Sequence, residues 1–203
     1  MPTTDQPNAL TSRERLLSAG KTLFARLGYE QTSTSAIARS SGSSESQLVR
    51  YFGGKAGLLE AIFNESWSAL AGEVEQQVNE ASHGRDAIIR MLRLMIAAFT
   101  RDHEVAFLFL FEGRRIRGGG SEVVLSKGFM RFYELLRTLI ERGQQDGSFR
   151  KDVSHVVLAS ALLGAAEGMI RDRLIAERTG QPNPFDEADV HRTFDALVNG
   201  LGV

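Results

Sequence analysis

The sequence predicts an all-α protein with about nine helices. Apolar residues recur at helical spacing along almost the whole chain, for example at positions 88, 92, 95, 96 and 99. Signals for helix starts precede several of these segments, and glycines that favour helix ends follow them. The apolar run at residues 105–111 has the length of a buried strand, but no second strand is available to pair with it. We therefore predict helix there as well.

The first two helices are marked by their ends. Thr11 and Glu14 have the spacing of a capping box, and Gly28 follows the last apolar position of the first helix. The predicted apolar face of this helix is Leu16, Gly20, Leu23, Phe24 and Leu27. A short polar helix is predicted over residues 34–40, with a turn at Gly42.

A second capping box, Ser44 with Gln47, predicts a third helix of about two turns. This helix is expected to end near Phe52, because Gly53 and Gly54 follow it. A long amphipathic helix comes next, with apolar positions at Leu59, Ile62, Phe63, Trp67, Leu70, Val74 and Val78.

The remainder of the chain continues the helical pattern. We predict a loop at residues 113–120 (GRRIRGGG), a helix over 121–145, a turn at 147–152, a helix over 153–178, a break at 180–184 and a final helix through Leu201. These assignments divide the chain into a disordered tail at 1–10, a three-helix domain at 11–55 and a helical bundle at 56–203.

The composition excludes several classes of protein. The 203 residues include no cysteine, which excludes disulfide frameworks, thiolate zinc sites and iron–sulfur clusters. The start of the chain lacks the basic and apolar segments of a signal peptide. The longest uncharged apolar stretch, residues 156–166, is too short to cross a bilayer. We expect a soluble, cytoplasmic protein that has no membrane partner.

Charge is distributed unevenly between the two predicted domains. Residues 1–55 contain seven Lys or Arg and four Asp or Glu, whereas the remainder contains 17 and 21. A basic segment attached to an acidic one favours contact with a polyanion. Chance variation of a mixed surface is the alternative.

Residues 32–52 fit a helix-turn-helix unit, in which two short helices are joined by a glycine-containing turn. The predicted inward positions are Ile37, Ala38, Leu48 and Phe52. The outward side chains of the second helix can read base edges, and they are Glu45, Ser46, Gln47, Arg50 and Tyr51. Thr32, Ser33 and Lys55 lie at helix starts and are candidate phosphate contacts. From spacing alone, an ordinary helical hairpin is the alternative.

The same region resembles the DNA-binding domain of the TetR family. The resemblance covers about residues 11–65 and rests on residues 27–38 (LGYEQTSTSAIA), 41–44 (SGSS) and 48–55 (LVRYFGGK). The positions that fall at the family's spacing are Gly28, Thr32, Ile37, Ala38, Gly42, Leu48, Phe52 and Lys55. The rest of the chain matches the family only in length and number of helices.

The resemblance implies a dimeric transcriptional regulator whose recognition helix, about residues 44–51, enters the major groove. By position, Gln47, Arg50 and Tyr51 correspond to DNA contacts of the family, and Lys55 to a phosphate contact. The family's usual residue types differ at Ser43, Val49 and Tyr51, so the operator sequence cannot be inferred from relatives. Val49 can contact a thymine methyl. The predicted DNA interface is Thr32, Ser33, Ser44, Glu45, Ser46, Gln47, Val49, Arg50, Tyr51 and Lys55.

A stripe of small residues in the helix at 153–178 suits the close approach of another helix. With the final helix, this stripe resembles the family's two-helix contribution to a four-helix dimer interface. The predicted interface is Ala161, Gly164, Ala165, Gly168, Phe194, Leu197, Val198 and Leu201. Packing within one chain is the alternative.

Large, deformable side chains are numerous in the C-terminal domain, and a cavity lined by them would suit a hydrophobic ligand. For each of them, filling the core is the alternative. Glu167 lies in an apolar helix and needs a partner, such as Arg171, Arg114 or a ligand cation, unless it faces solvent. The predicted ligand-binding residues are Trp67, Met95, Phe99, Phe107, Phe111, Met130, Glu167 and Met169, and Phe109 and Phe132 belong to the same set of large side chains.

Nothing in the sequence indicates catalysis, a cofactor or a metal site. The four histidines lack metal-ligand spacing, and residues 53–55 (GGK) lack the other residues of a phosphate loop. We expect a homodimeric repressor that binds a near-palindromic double-stranded DNA operator. An unknown small-molecule effector would release it by tilting the long helix. An all-helical ligand-binding or scaffold protein without DNA binding is the alternative function.

Overall fold

The computed structural model of the protein describes residues 10–112 and 126–202. Within these ranges it contains nine α-helices and no strand, so the all-α prediction is confirmed. The helices are α1 (Ser12–Leu27), α2 (Thr34–Ser40), α3 (Glu45–Phe52), α4 (Lys55–Val78), α5 (Gly84–Arg101), α6 (His103–Phe107), α7 (Lys127–Gln145), α8 (His155–Thr179) and α9 (Glu187–Gly200). A π-helical turn at Leu108–Glu112 follows α6, so the apolar run at 105–111 is helical as predicted. The loop predicted at 113–120, the helix start predicted at 121–125 and residues 1–9 lie outside the described residues.

The predicted helix ends are confirmed in the N-terminal region. The Thr11 hydroxyl accepts a hydrogen bond from the Glu14 N–H at 3.2 Å, and the Glu14 carboxylate accepts one from the Thr11 N–H at 2.7 Å. The same pair of bonds joins Ser44 and Gln47 at the start of α3. Gly53 ends α3 with a φ of 72°, a left-handed conformation that residues with a side chain rarely adopt.

The chain divides into two compact units, Met1–Ile62 and Phe63–Val203. The boundary lies within α4, whereas the sequence placed it after Lys55. The difference arises from packing, because Leu58 is fully buried in the first unit. A Cβ on Gly20 of α1 would lie only 2.7 Å from the Leu58 Cδ2, so the absence of a side chain there admits the start of α4. The first turns of α4 therefore belong to the N-terminal core.

The core of the first unit is formed by the fully buried side chains of Leu16, Phe24, Ile37 and Leu48. Two predicted core positions are wrong. Leu27 is 51% exposed, since it is the last residue of α1. Phe52 at the end of α3 is only half-buried, and its ring is covered by the Arg13 guanidinium, 5.4 Å from the ring centroid.

Helix α5 packs against α7, α8 and α9 in the second unit. Its buried face is Gly84, Ala87, Ile88, Met91, Leu92, Met95, Ile96 and Phe99, which includes every predicted apolar position. The backbones of α5 and α7 approach closely at Gly84, because a Cβ there would overlap the backbone of Gly143. None of the described helices is both long and apolar enough to span a lipid bilayer.

Asp146, in the turn after α7, is bonded to the start of α5. Its carboxylate accepts hydrogen bonds from the Gly84 N–H at 2.7 Å and from the hydroxyl and N–H of Ser148 at 2.6 and 2.9 Å. Burial raises the pKa of Asp146, but the hydrogen bonds from Ser148 and Gly84, with His83 nearby, lower it more strongly, to about 2. The charged carboxylate therefore holds the turn to the α5 N-terminus near neutral pH.

Candidate nucleic-acid interface and ligand cavity

Helices α1, α2 and α3 pack against one another, and α2 and α3 form the predicted helix-turn-helix pair. Leu48 anchors α3 in the core of the first unit, since it is fully buried. The predicted base contacts Glu45, Ser46, Val49, Arg50 and Tyr51 are all exposed. A two-turn helix with one face in the core and the other in solvent has the geometry needed to enter a major groove.

Gln47 has a structural role in addition to its predicted contact with a base. Its Oε1 accepts a hydrogen bond from the Ser44 N–H at 2.9 Å, and its N–H donates to the Ser44 hydroxyl at 3.2 Å. The Ser44 and Ser46 hydroxyls lie 2.9 Å apart. Because the Gln47 carbonyl caps the helix, we expect it to contact a base through its Nε2.

Arg50 and Tyr51 form a pair on the exposed face of α3. The Arg50 Nη2 donates to the Tyr51 hydroxyl at 3.0 Å, and the guanidinium lies 4.8 Å from the Tyr51 ring centroid. Such stacking restricts the guanidinium while leaving its other N–H groups available to a guanine. The sequence predicted both residues as contacts but did not predict that they touch each other.

Glu45, at the start of α3, accepts a hydrogen bond from the Thr34 hydroxyl at 2.5 Å. This bond joins the first residue of α3 to the first residue of α2. The sequence predicted Glu45 as a DNA contact but did not predict its bond to Thr34. The bond gives the carboxylate a partner within the protein, close to the surface where DNA phosphates are expected.

Thr32 is wrong as a direct phosphate contact. It is 1% exposed, and its hydroxyl donates to the Gly28 carbonyl at 2.8 Å, with the Leu23 carbonyl 3.2 Å away. The Thr32 side chain therefore stabilises the turn between α1 and α2 through these hydrogen bonds. Ser33 remains exposed and caps α2, because its hydroxyl accepts from the Ala36 N–H at 3.1 Å.

Lys55, the first residue of α4, is half-buried and bonded to Tyr29. Its Nζ donates to the Tyr29 carbonyl at 2.9 Å and lies 4.3 Å from the Tyr29 ring centroid. An ammonium has three donors, so one bond within the protein leaves capacity for a phosphate. Tyr29 therefore fixes the position of Lys55, the predicted phosphate contact. Tyr29 was not among the residues predicted for the DNA interface.

In the second unit, the predicted ligand-binding aromatics pack mainly against one another. The Trp67 ring centroid lies between 4.6 and 5.7 Å from four others, those of Phe99, Phe109, Phe129 and Phe132. Met95 is fully buried, and Trp67 is nearly so. Met130 of α7 is 49% exposed. The remaining candidates, Phe107, Phe111, Glu167 and Met169, are half-buried.

A cavity of about 290 Å³ lies in the second unit, where residues of α5, α6, α8 and the segment after α8 meet. Its buried floor consists of Phe99, Ile170 and Leu174. Its polar lining consists of Thr100, His103, Arg173, Glu177, Gln181 and Asn183. Of the eight predicted ligand-binding residues, Phe99 lines this cavity, and the other seven are not among its described lining residues.

The predicted dimer residues fall into two groups. Ala161 and Gly164 of α8 are exposed, and Ala165 and Gly168 are half-buried. Apart from the adjacent backbone of α8 itself, no described atom lies within 4 Å of a Cβ built on Gly164. Leu197 is 41% exposed and Leu201 is half-buried. Phe194 and Val198 are wrong as interface residues, because both are buried on the face of α9 that packs against α5 of the same chain.

Among the described residues, no group of three or more His, Asp or Glu side chains is arranged to hold a metal ion. The histidines of this part of the chain instead lie beside individual charged groups. His103 is 2.8 Å from the Glu177 carboxylate, and His155 is 3.3 Å from the Arg137 guanidinium.

Comparison with known proteins gives four relevant matches. Residues 16–62 match the family described as "Bacterial regulatory proteins, tetR family". The chain is 25% identical to the HTH-type transcriptional repressor KstR2 of Rhodococcus jostii over 152 residues, which cover 75% of this chain and 74% of KstR2. The solved structure of the fatty acid degradation regulator FadR from Bacillus halodurans has a TM-score of 0.80 and 20% identity, covering 92% of this chain and 98% of FadR.

A second solved structure is that of the transcriptional regulator FadR from Bacillus subtilis in complex with stearoyl-CoA. Its TM-score is 0.79 at 16% identity, and the match covers 92% of this chain and 96% of that one. At such identities the two structures show a shared fold. The matched segment 16–62 contains the buried Leu48 and the exposed Arg50 of the helix-turn-helix pair. Residues 16–62 therefore belong to the tetR family of bacterial regulatory proteins, and the chain shares the fold of the two FadR structures.

Proposed function

We propose that this chain is a ligand-responsive repressor that binds a near-palindromic DNA operator as a homodimer. The observation that carries the proposal is that Val49, Arg50 and Tyr51 of α3 are exposed, while Leu48 of the same helix is fully buried. Arginine can donate two hydrogen bonds to a guanine, and valine can contact a thymine methyl. These side chains supply sequence-specific contacts without any rearrangement of the helix.

Contacts with the phosphate backbone would position α3 in the groove. Ser33 at the α2 N-terminus and Lys55 at the α4 N-terminus are the candidates that retain donors for a phosphate. Lysine contacts release counterions from DNA, so the affinity is expected to fall as the salt concentration rises.

Dimerisation is proposed through the exposed apolar stripe of α8. Val157, Ala161, Gly164, Gly168 and Ile175 recur at intervals of three, four or seven residues, which places them on one side of the helix. Val157 and Ile175 are 58% and 45% exposed, which is unusual for such residues in a helix that also contributes to the core. Leu197 of α9 adds to this set. A two-fold axis through the interface would present two α3 helices to half-sites about one DNA turn apart.

The proposed effector is a small molecule with substantial apolar surface, bound in the second unit. The relative KstR2 is named as a repressor, and the FadR structure from Bacillus subtilis contains stearoyl-CoA. A ligand that binds more tightly to a conformation with low DNA affinity would weaken operator binding. By linkage, bound operator would weaken ligand binding by the same coupling free energy. Helix α4 begins in one unit and ends in the other, so it is the covalent route for this coupling.

Selection of bound duplexes from a random DNA pool tests the proposal directly. We expect enrichment of a near-palindromic site. Arg50→Ala should then weaken binding to that site by roughly 5- to 150-fold and relax the preference at one base pair in each half-site. Arg90→Ala is the matched control, because Arg90 is exposed on α5 in the second unit and its removal changes the net charge equally.

Two results would contradict the proposal. One is a pool that shows no enrichment, which would support the alternative of a helical ligand-binding or scaffold protein. The other is an equal loss of affinity for Arg50→Ala and Arg90→Ala, which would mean that Arg50 contributes only its charge.

A further inference from the structure

The cavity bounded by α5, α6 and α8 changes in polarity from its floor to its rim. Phe99, Ile170 and Leu174 form the floor and are at most 8% exposed. At the rim, His103 and Glu177 are exposed to solvent. A ligand held here would bury an apolar body against the floor and keep a polar head near the rim.

Arg173 is the lining group that favours an anionic head. The Glu177 carboxylate is already paired, because the His103 Nδ1 lies 2.8 Å from its Oε2. Arg173 is half-buried, and its Nη1 makes a long hydrogen bond of 3.4 Å to the Thr100 hydroxyl. Within the described part of the chain, Arg173 has no ion-pair partner. A partly desolvated guanidinium beside an apolar cavity is stabilised when a bound carboxylate accepts its hydrogen bonds.

We propose that this cavity binds a compact organic monoanion, with an apolar body on the floor and a carboxylate bonded to Arg173. A volume of about 290 Å³ is at the lower end for small-molecule pockets. Since a water molecule occupies about 30 Å³ of liquid and a methylene group is of similar size, the cavity holds on the order of ten heavy atoms. Identifying this anion as the effector rests on the proposed function. Binding of the anion to the cavity does not, because it can be measured without DNA.

Calorimetric titration of the full chain with three eight-carbon probes tests the head group. Octanoate, octan-1-ol and octylammonium share the same apolar body and differ in charge. We expect octanoate to bind at least about tenfold more tightly than the other two, as a charge-assisted hydrogen bond implies. 2-Naphthoate, with the same carboxylate on an aromatic body, shows whether the floor prefers an alkyl or an aryl group.

Variants of the lining residues test the site. Arg173→Gln should weaken octanoate binding about tenfold or more and leave octan-1-ol binding unchanged, whereas Arg173→Lys should retain part of the preference for the acid. Leu174→Phe should weaken the binding of all probes, because the larger side chain occupies part of the floor. Arg171→Gln is the matched control, because Arg171 is an exposed arginine of the same helix and does not line the cavity. Thermal unfolding of each variant verifies that it is folded.

The inference is overturned if octanoate binds no more tightly than octan-1-ol, or if Arg173→Gln and Arg171→Gln have the same effect. It is also overturned if Arg173→Gln unfolds while Leu174→Phe, still folded, binds octanoate normally. Repeating the operator-binding assay with octanoate present separates the two proposals. Operator binding without anion binding refutes the cavity site alone, and anion binding without operator binding refutes the regulator alone.

Discussion

Replacing Thr32 by valine tests whether this residue supports DNA binding through the fold or through direct contact. The Thr32 hydroxyl is buried and donates to the Gly28 carbonyl at 2.8 Å. Valine keeps the shape of the side chain but removes the donor. The Gly28 carbonyl, at the end of α1, then loses this donor in a buried environment.

The magnitude follows from that bond. Removing one partner of a buried hydrogen bond costs about 1–3 kcal/mol, because the remaining acceptor stays desolvated without compensation. We therefore expect the free energy of unfolding of the N-terminal unit to fall by about 1–3 kcal/mol. The affinity for the selected operator should change less than about threefold at a temperature where the variant is fully folded.

Urea unfolding followed by circular dichroism, together with operator titration at constant salt, provides the two readouts. Thr138→Val is the control, since Thr138 is exposed on α7 and its hydroxyl bonds only to the Glu134 carbonyl of its own helix at 3.0 Å. That variant should leave stability within about 0.5 kcal/mol of the parent. Unchanged stability with a tenfold or greater loss of operator affinity for Thr32→Val would instead indicate that Thr32 contacts a phosphate directly.

Two further predictions concern the second unit. The pKa of Asp146 lies at about 2, below its ordinary 3.8, so its contribution to stability is present above about pH 4 and is lost as the pH falls toward 2. The full shift corresponds to about 2.4 kcal/mol, which solvent screening of this partly exposed carboxylate reduces to about 1 kcal/mol. Asp146→Asn should therefore be less stable than the parent at pH 6 by about 1 kcal/mol in urea unfolding and should match it near pH 2; a gap independent of pH would contradict this. Gly164→Arg should convert the proposed dimer to a folded monomer in light scattering, because a side chain there meets open space within the chain but would obstruct a partner helix. Gly72→Arg is the control, because Gly72 is also at a helical position with open space around it. If Gly164→Arg remains dimeric, the interface lies elsewhere.

Predictions from the sequence were most accurate where the signal is local. Capping boxes at Thr11 and Ser44 and the glycine after α3 marked helix ends that the structure confirms. Such signals work because the hydrogen bonds that satisfy the first turn come from residues three positions apart. The outward face of α3 was predicted for a similar reason, since the burial of Leu48 determines where Arg50 lies on a two-turn helix.

The partners of the site residues were not predictable in this way. Lys55 bonds to Tyr29, 26 residues away, and Glu45 bonds to Thr34, 11 residues away. The two residues of each pair lie in different elements of the fold, so spacing within one helix does not indicate the contact. The cavity presents the same difficulty, because Phe99 and Arg173 lie on helices that only tertiary packing brings together.

Spacing within a few turns was sufficient to predict the helices, the helix-turn-helix pair and the exposed side chains of α3. The tertiary structure was needed to establish which apolar and polar groups are accessible. It buried Phe194 and Val198 of α9 within the chain's own core, and it enclosed Thr32 between α1 and α2. An amphipathic pattern states that a face is apolar, but the surface that covers this face depends on helices distant in the sequence.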